Sequence, residues 1–233
     1  MMRRQRATAA TFASERRDRP VSIHADSVTL EGNLNVPAGA RGLVVFAHGS
    51  GSSRHSPRNR YVASLLRESS LGTLLIDLLS VDEEERDLET AQLRFDIPLL
   101  ARRLVAATDW ALASREVSSL NIGYFGASTG AAAALVAAAL RAEAIGAVVS
   151  RGGRPDLAAS SLAQVRAPTL LIVGGRDTPV IEMNREAFER LRVEKEMVIV
   201  PGATHLFEEP GALETVAQHA RRWFERHLTA PRA

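Results

Sequence analysis

Three residue types in this chain are spaced as a nucleophile, an acid and a base would be. The first is Ser128, in Gly126-Ala127-Ser128-Thr129-Gly130. An apolar run, Ile122 to Phe125, precedes it, and an alanine-rich stretch follows. Gly-x-Ser-x-Gly between a strand and a helix puts the serine on a sharp turn with its hydroxyl above a sheet. The helix start also supplies backbone N–H groups, so the N–H of Thr129 is a candidate oxyanion donor. Read alone, the five residues also fit a helix N-cap in which Ser128 only caps.

A serine hydroxyl needs a base to take its proton, and the base needs an orienting partner. Asp177 follows the apolar run Leu170 to Val173 through Gly174-Gly175-Arg176, and His205 follows Met197 to Val200 through Pro201-Gly202-Ala203-Thr204. Each would lie beyond the carboxyl end of a strand, where ligands collect in open α/β sheets. Separately, Asp177 reads as a turn residue and His205 as a surface histidine. Together with Ser128 they form a catalytic constellation in the order Ser, Asp, His. Phe46-Ala47-His48-Gly49-Ser50-Gly51 offers a tight turn after another buried strand. Ser50 N–H is expected there as the second oxyanion donor. His48 is the rival base, but it precedes the nucleophile and glycine follows it, so it reads as a residue that holds the loop and borders the substrate.

Arginines flank the same end of the sheet: Arg54, Arg58 and Arg60 after the oxyanion loop, Arg151 and Arg154 after the run Ala147 to Val149. A pair of guanidiniums clamps a carboxylate or phosphate well. The alternative is solvated loop charge or pairing with Asp77, Asp82 or Asp156. Arg54 and Arg151 are the substrate-binding candidates, and Arg151 leads because it directly follows a core strand.

The elements that must position these groups are legible as alternating patterns. Val21 to His24 and Val28 to Val36 read as two strands, and Leu43 to Ala47 as one buried on both faces. Further strands are expected at Thr73 to Ile76 and at the four runs named above that precede Ser128, Arg151, Asp177 and His205. Helices are expected at Arg58 to Glu68, Leu93 to Ala113, Thr129 to Leu140, Ile181 to Leu191 and Leu213 to His227. Pro98 should kink the second of these or mark its first turn. This succession implies an α/β fold: a mostly parallel, doubly wound sheet of about eight strands with helices on both faces. The acidic run Asp82 to Glu85, with Asp87 and Glu89, reads as a solvated loop or helix start and not as a metal site. Between the sixth and seventh strands only Arg151 to Pro168 remain, too few for a cap domain, so a shallow, open pocket is expected.

The chain has 233 residues, 45% of them apolar, which suits one domain over residues 21–229. Residues 1–20, with six arginines and no apolar core, read as a disordered basic tail and not a secretory signal. The 29 basic and 27 acidic side chains leave a net charge of only +2, which gives no argument for nucleic-acid binding. No apolar run approaches the ~20 residues of a membrane span. Without a signal, cytoplasm is the default location. The absence of cysteine excludes disulfides, thiolate metal sites and a cysteine nucleophile.

The combination of His48-Gly49-Ser50-Gly51, Gly126-Ala127-Ser128-Thr129-Gly130, Gly174-Gly175-Arg176-Asp177 and Gly202-Ala203-Thr204-His205 resembles the α/β-hydrolase superfamily. It is most similar to its dienelactone-hydrolase-like group over about residues 21 to 229. It also resembles the hydrolase part of bacterial proteins in which such a domain is fused to a phosphoribosyltransferase. The resemblance implies an ester-type acyl substrate and no cofactor or metal. Authentic dienelactone hydrolases use a cysteine nucleophile, whereas Ser128 stands here, which turns the expectation toward a carboxylesterase acting on a small-molecule ester. The same constellation would serve a thioesterase or a lactone or amide hydrolase, and the fold also occurs as a catalytically silent binding module. The sequence does not decide between monomer and homodimer.

Overall fold

The computed structural model describes residues 18–229. Eight strands form one sheet in the order β1-β2-β4-β3-β5-β6-β7-β8. They are β1 (Arg19–Ala25), β2 (Val28–Asn35), β3 (Gly42–Ala47), β4 (Gly72–Ile76), β5 (Asn121–Ala127), β6 (Ile145–Arg151), β7 (Thr169–Gly174) and β8 (Lys195–Val200). β1 pairs antiparallel with β2, and β2 antiparallel with β4; the pairings from β4 through β8 are parallel. The expected tail lies outside the described residues as far as residue 17. Arg19 and Pro20, assigned to it from sequence, are instead the first residues of β1.

Alternation along the central strands divides the core into two layers. Val44, Phe46, Phe125, Ala147 and Val149 face α1 (Pro57–Glu68) and α6 (Ala212–Leu228). Leu43, Val45, Tyr124 and Val148 face α3 (Ile97–Ala113) and α4 (Thr129–Leu140). With apolar side chains on both faces, β3 is buried throughout, as its continuous apolar run predicts. Pro98 sits in the first turn of α3, where its missing N–H costs nothing, so that helix runs unkinked from Ile97. Asp96 caps it by accepting from Leu99 N–H at 2.9 Å.

The acidic run is a helix start, one of its two expected readings: it opens α2 (Val81–Thr90), a full helix where the apolar patterns marked none. Ser80 Oγ accepts from Glu83 N–H at 3.3 Å while the Glu83 carboxylate accepts from Ser80 N–H at 2.9 Å. This reciprocal capping box satisfies two of the backbone donors that a helix start leaves unpaired. Asp82, Glu83 and Glu84 in its first turn also complement the positive end of the helix dipole. Glu83 anchors α2 from below, accepting from Arg103 of α3 at 2.8 Å, and Arg103 also donates to Ala25 O at 2.5 Å. Asp87 holds the far end through Arg94 Nε at 2.5 Å and Leu93 N–H at 2.7 Å. Burial alone would raise the Asp87 carboxyl, but these donors outweigh it and lower it, so the latch stays charged.

Only short 3₁₀ turns, Pro155–Ala158 and Leu162–Gln164, occupy the connection from β6 to β7, and no cap domain is built there. No helix among the described residues is long and apolar enough to cross a membrane.

Replacing Arg103 with Met leaves Glu83 charged beneath α2 without its partner. The expected loss is about 3–5 kcal/mol in urea unfolding; a loss below ~1 kcal/mol would mean that the pair does not anchor α2.

Candidate active site

Ser128 sits between β5 and α4 with φ 51° and ψ −121°, a left-handed conformation that a side chain strongly disfavours. Two glycines make the turn possible. A Cβ on Gly126 would lie 2.4 Å from Ala131 Cα, and one on Gly130 would lie 2.3 Å from the carbonyl oxygens of Ala47 and His48. Strand, helix and the loop after β3 therefore meet at backbone distance. Ser128 N–H donates to Arg151 O at 3.3 Å, and its carbonyl accepts from Ala131 N–H and Arg154 N–H, both at 3.1 Å. Ser128 precedes α4, yet its side chain makes no capping hydrogen bond. The bland reading of this serine as an N-cap fails, and its hydroxyl is left available.

Asp177 and His205 come together from adjacent loops. Gly175 N–H donates to Val200 O at 2.8 Å and Arg176 N–H to Ala203 O at 2.9 Å, which zips the loop after β7 to the loop after β8. A side chain on Gly174 would collide with Thr204 O at 2.5 Å. Across this seam Asp177 Oδ2 lies 2.6 Å from His205 Nδ1. With the proton on Nδ1, the ring turns Nε2 outward as an acceptor. Asp177 makes no side-chain cap to α5 (Thr178–Arg190), so its carboxylate serves the histidine and not the turn. The His205 side chain is 37% exposed. Its Cε1 lies 3.6 Å from where a Cβ on Gly152 would stand, two residues beyond the strand partner of Gly126.

The loop after β3 lies directly over the serine, since a Cβ on Gly49 would be 3.0 Å from Ser128 Cβ. Thr129 N–H, the first of α4, donates to no acceptor among the described residues. Ser50 N–H differs from expectation. It does not stand free but donates to Thr129 Oγ1 at 3.0 Å, because the hydroxyl of the neighbouring helix residue reaches it first.

His48 holds the loop as expected and also lines the neighbouring cleft, whereas Arg54 is engaged by a carboxylate. His48 Nε2 accepts from Leu78 N–H at 3.0 Å, and Nδ1 donates to Gly49 O at 2.9 Å. Both ring nitrogens hold backbone, so His48 neither contacts substrate through them nor competes as the base. Burial lowers its pKa, which keeps it in the neutral form that this bonding requires. Arg54 is bound to Asp77, through its backbone N–H at 2.6 Å and its guanidinium, and so is not a free clamp. Arg154 is bidentate to Asp156 at 2.9 and 2.7 Å. Arg151 is buried, and its Nε and Nη1 find no hydrogen-bond partner among the described residues.

A small cleft opens beside the loop after β3, lined by Ser50, Leu79, Leu88, Arg94, Leu100 and Thr129. Leu88 belongs to α2, so the pocket is walled on one side where sequence suggested an open surface. The signal that identifies this wall is Ser80-Val81-Asp82-Glu83, a capping box at the start of the acidic run.

The sequence model of the dienelactone hydrolase family matches residues 82–230. This chain belongs to that family. It is 62% identical to a dienelactone hydrolase from Anabaena variabilis of known crystal structure, with a TM-score of 0.89 over 91% of this chain and 98% of that one. An α/β serine hydrolase homologue from Coxiella burnetii shares the fold at 21% identity, with a TM-score of 0.72 over 88% of this chain and 96% of that one. A Mycobacterium tuberculosis protein named putative phosphoribosyl transferase is 55% identical over 215 residues, 92% of this chain. The chain spans 48% of that relative's length. The α/β-hydrolase architecture and the hydrolase family thus coincide with the motif-based resemblance.

Because the folded pKa of His48 lies below the ordinary ~6.5, the unfolded chain binds the extra proton first as pH falls. The stability that neutral His48 contributes is complete above about pH 6.5 and is lost as pH drops toward the depressed folded value. Urea unfolding of the wild type should weaken over that interval, and His48→Gln should weaken less. Parallel pH profiles would refute this role.

Proposed function

We propose that the protein is a serine hydrolase that cleaves small carboxylic esters through an acyl-enzyme, with Ser128, His205 and Asp177 as its triad. The observation that carries the reading is the 2.6 Å Asp177–His205 contact beside a serine held at φ 51°. In the conformation described, Ser128 Oγ makes no hydrogen bond, so its hydroxyl is available to pair with His205 Nε2 in the reacting state. His205 then takes the hydroxyl proton as Oγ attacks the ester carbonyl. Asp177 stabilises the imidazolium without itself accepting the proton. The tetrahedral oxygen draws on Thr129 N–H. Ser50 N–H becomes the second donor by leaving Thr129 Oγ1 for the fully charged oxygen, since a hydrogen bond to an anion is the stronger one. Each such donor is worth roughly 3–4 kcal/mol to the transition state.

The protonated His205 passes its proton to the departing alkoxide, which leaves as the alcohol. Water enters, loses a proton to His205 and attacks the acyl carbon, releasing the acid and restoring Ser128. Thioesters and lactones present the same carbonyl to the same groups. The absence of a cap over the β6–β7 connection favours compact acyl groups, and Leu79, Leu88 and Leu100 give the cleft its apolar surface.

With p-nitrophenyl esters from acetate to decanoate, turnover should peak at short chains. Ser128→Ala should lose nearly all of it, and Asp177→Asn should lower kcat by about 10⁴-fold through the wrong histidine tautomer. Wild-type turnover in Ser128→Ala would overturn the assignment. Failure of a covalent serine probe to label Ser128 would instead favour the silent binding module.

A further inference from the structure

Arg151 is the last residue of β6 and shares a face with Ala147 and Val149, pointing toward the layer under α1 and α6. Only 8% of the residue is exposed. Its guanidinium carbon lies 5.9 Å from the centre of the Phe207 ring, just past His205. Nε and Nη1 are sealed from solvent with no hydrogen-bond partner, and the side chain forms no salt bridge among the described residues. Burial and the neighbouring Arg58 push its pKa down to about 10, so the group remains a cation at neutral pH. A buried charge without a partner is strongly unfavourable, and an apolar side chain of similar volume would be the more stable occupant of that space. Holding a place for an anion accounts for its presence.

The neighbourhood adds positive character. Arg58 lies in the first turn of α1, which has no acidic residue there. The partner of Arg58, Glu208, is 3.1 Å away and 64% exposed, so the pair is weak and exchangeable. Arg151 lies against the Phe207 ring and Arg58 against Glu208, the next residue along, so the two guanidiniums flank one short segment just past His205. An open depression lies in front of Arg58, Phe207 and Glu208.

We propose that Arg151 and Arg58 form a binding site for a phosphate-type dianion next to His205. One monoanionic carboxylate would leave a guanidinium uncompensated, whereas a dianion neutralises both. Glu208, Glu209 and Glu214 line the outer wall and repel loosely held anions. The ligand therefore exchanges with Glu208 on Arg58 and then reaches Arg151 through a charge-assisted hydrogen bond. The phosphate is either free or the phosphomonoester end of a substrate. The second case rests on the proposed hydrolase reading, and the first does not.

The test is thermal unfolding of the full chain with inorganic phosphate or sodium acetate at equal ionic strength. Wild type should gain about 2–4 °C in millimolar phosphate and much less in acetate. Arg151→Met should melt at or above wild type without phosphate and lose the phosphate response, whereas a structural arginine would lower Tm on removal. Arg58→Met should at least halve the phosphate shift, which keeps the test readable if Arg151→Met fails to fold. An absent wild-type shift, an equal shift in acetate, or an undiminished shift in the variants would each overturn the proposal. Melting needs no turnover, so an inactive protein would fail the hydrolase reading without touching this one. Where turnover exists, phosphate that raises KM for a p-nitrophenyl ester without changing kcat identifies a site shared with substrate. Stabilisation with no effect on KM identifies a free-anion site.

Discussion

Ser128 holds a backbone conformation that costs on the order of 1–3 kcal/mol, and the surrounding structure exists in the form it does because that residue must be held there. The constraint propagates outward through close backbone approaches. Gly126 lets α4 touch the end of β5, and Gly130 lets it touch the end of β3. The carbonyl of Arg151 takes the serine N–H, and the serine carbonyl fastens the start of the β6–β7 connection. One strained residue thereby ties together three neighbouring parallel strands at their carboxyl ends. The strain is over-determined by packing, which is why the serine can present its hydroxyl instead of relaxing into a capping role.

Charge is arranged around this point by burial and pairing. His48 is kept neutral and anchored at both ring nitrogens, so it works as a spacer between β3 and the start of the β4 connection. Arg54 and Arg154, which sequence offered as clamps, are neutralised by Asp77 and Asp156. Arg103 is neutralised by Glu83 within the core. Against this background Arg151 is the exception, a buried cation whose Nε and Nη1 have no acceptor, beside the candidate triad. The contrast gives it meaning. In a molecule that pairs its other buried arginines, an unpaired one marks a place where charge balance is completed from outside.

The helix α2 shows how a short sequence signal decides the shape of a pocket. Its acidic first turn is a capping arrangement, its Glu83 reaches inward to α3, and its Asp87 closes on Arg94. These contacts set Leu88 and Arg94 against the loop after β3 and turn an open shelf into a cleft. The acidic run is thus a buttress whose carboxylates point in two directions, toward the protein and toward solvent.

The sequence by itself determined the fold class, the eight strands in chain order and five of the six α-helices, and it nominated the three residues of the candidate triad. Each is carried by local signals: apolar runs of strand length, a glycine-bracketed serine between strand and helix, and an Asp and a His just past strand ends. Such signals depend on steric rules that operate within a few residues, so they survive without a structure. Only the tertiary structure decided partnership. That Ser50 N–H meets Thr129 Oγ1, that Arg54 meets Asp77, and that Arg151 meets the Phe207 ring and no carboxylate are facts about residues 79, 23 and 56 positions apart. Side-chain reach and packing across the sheet decide them, and no pattern along the chain encodes which of several arginines will find a carboxylate.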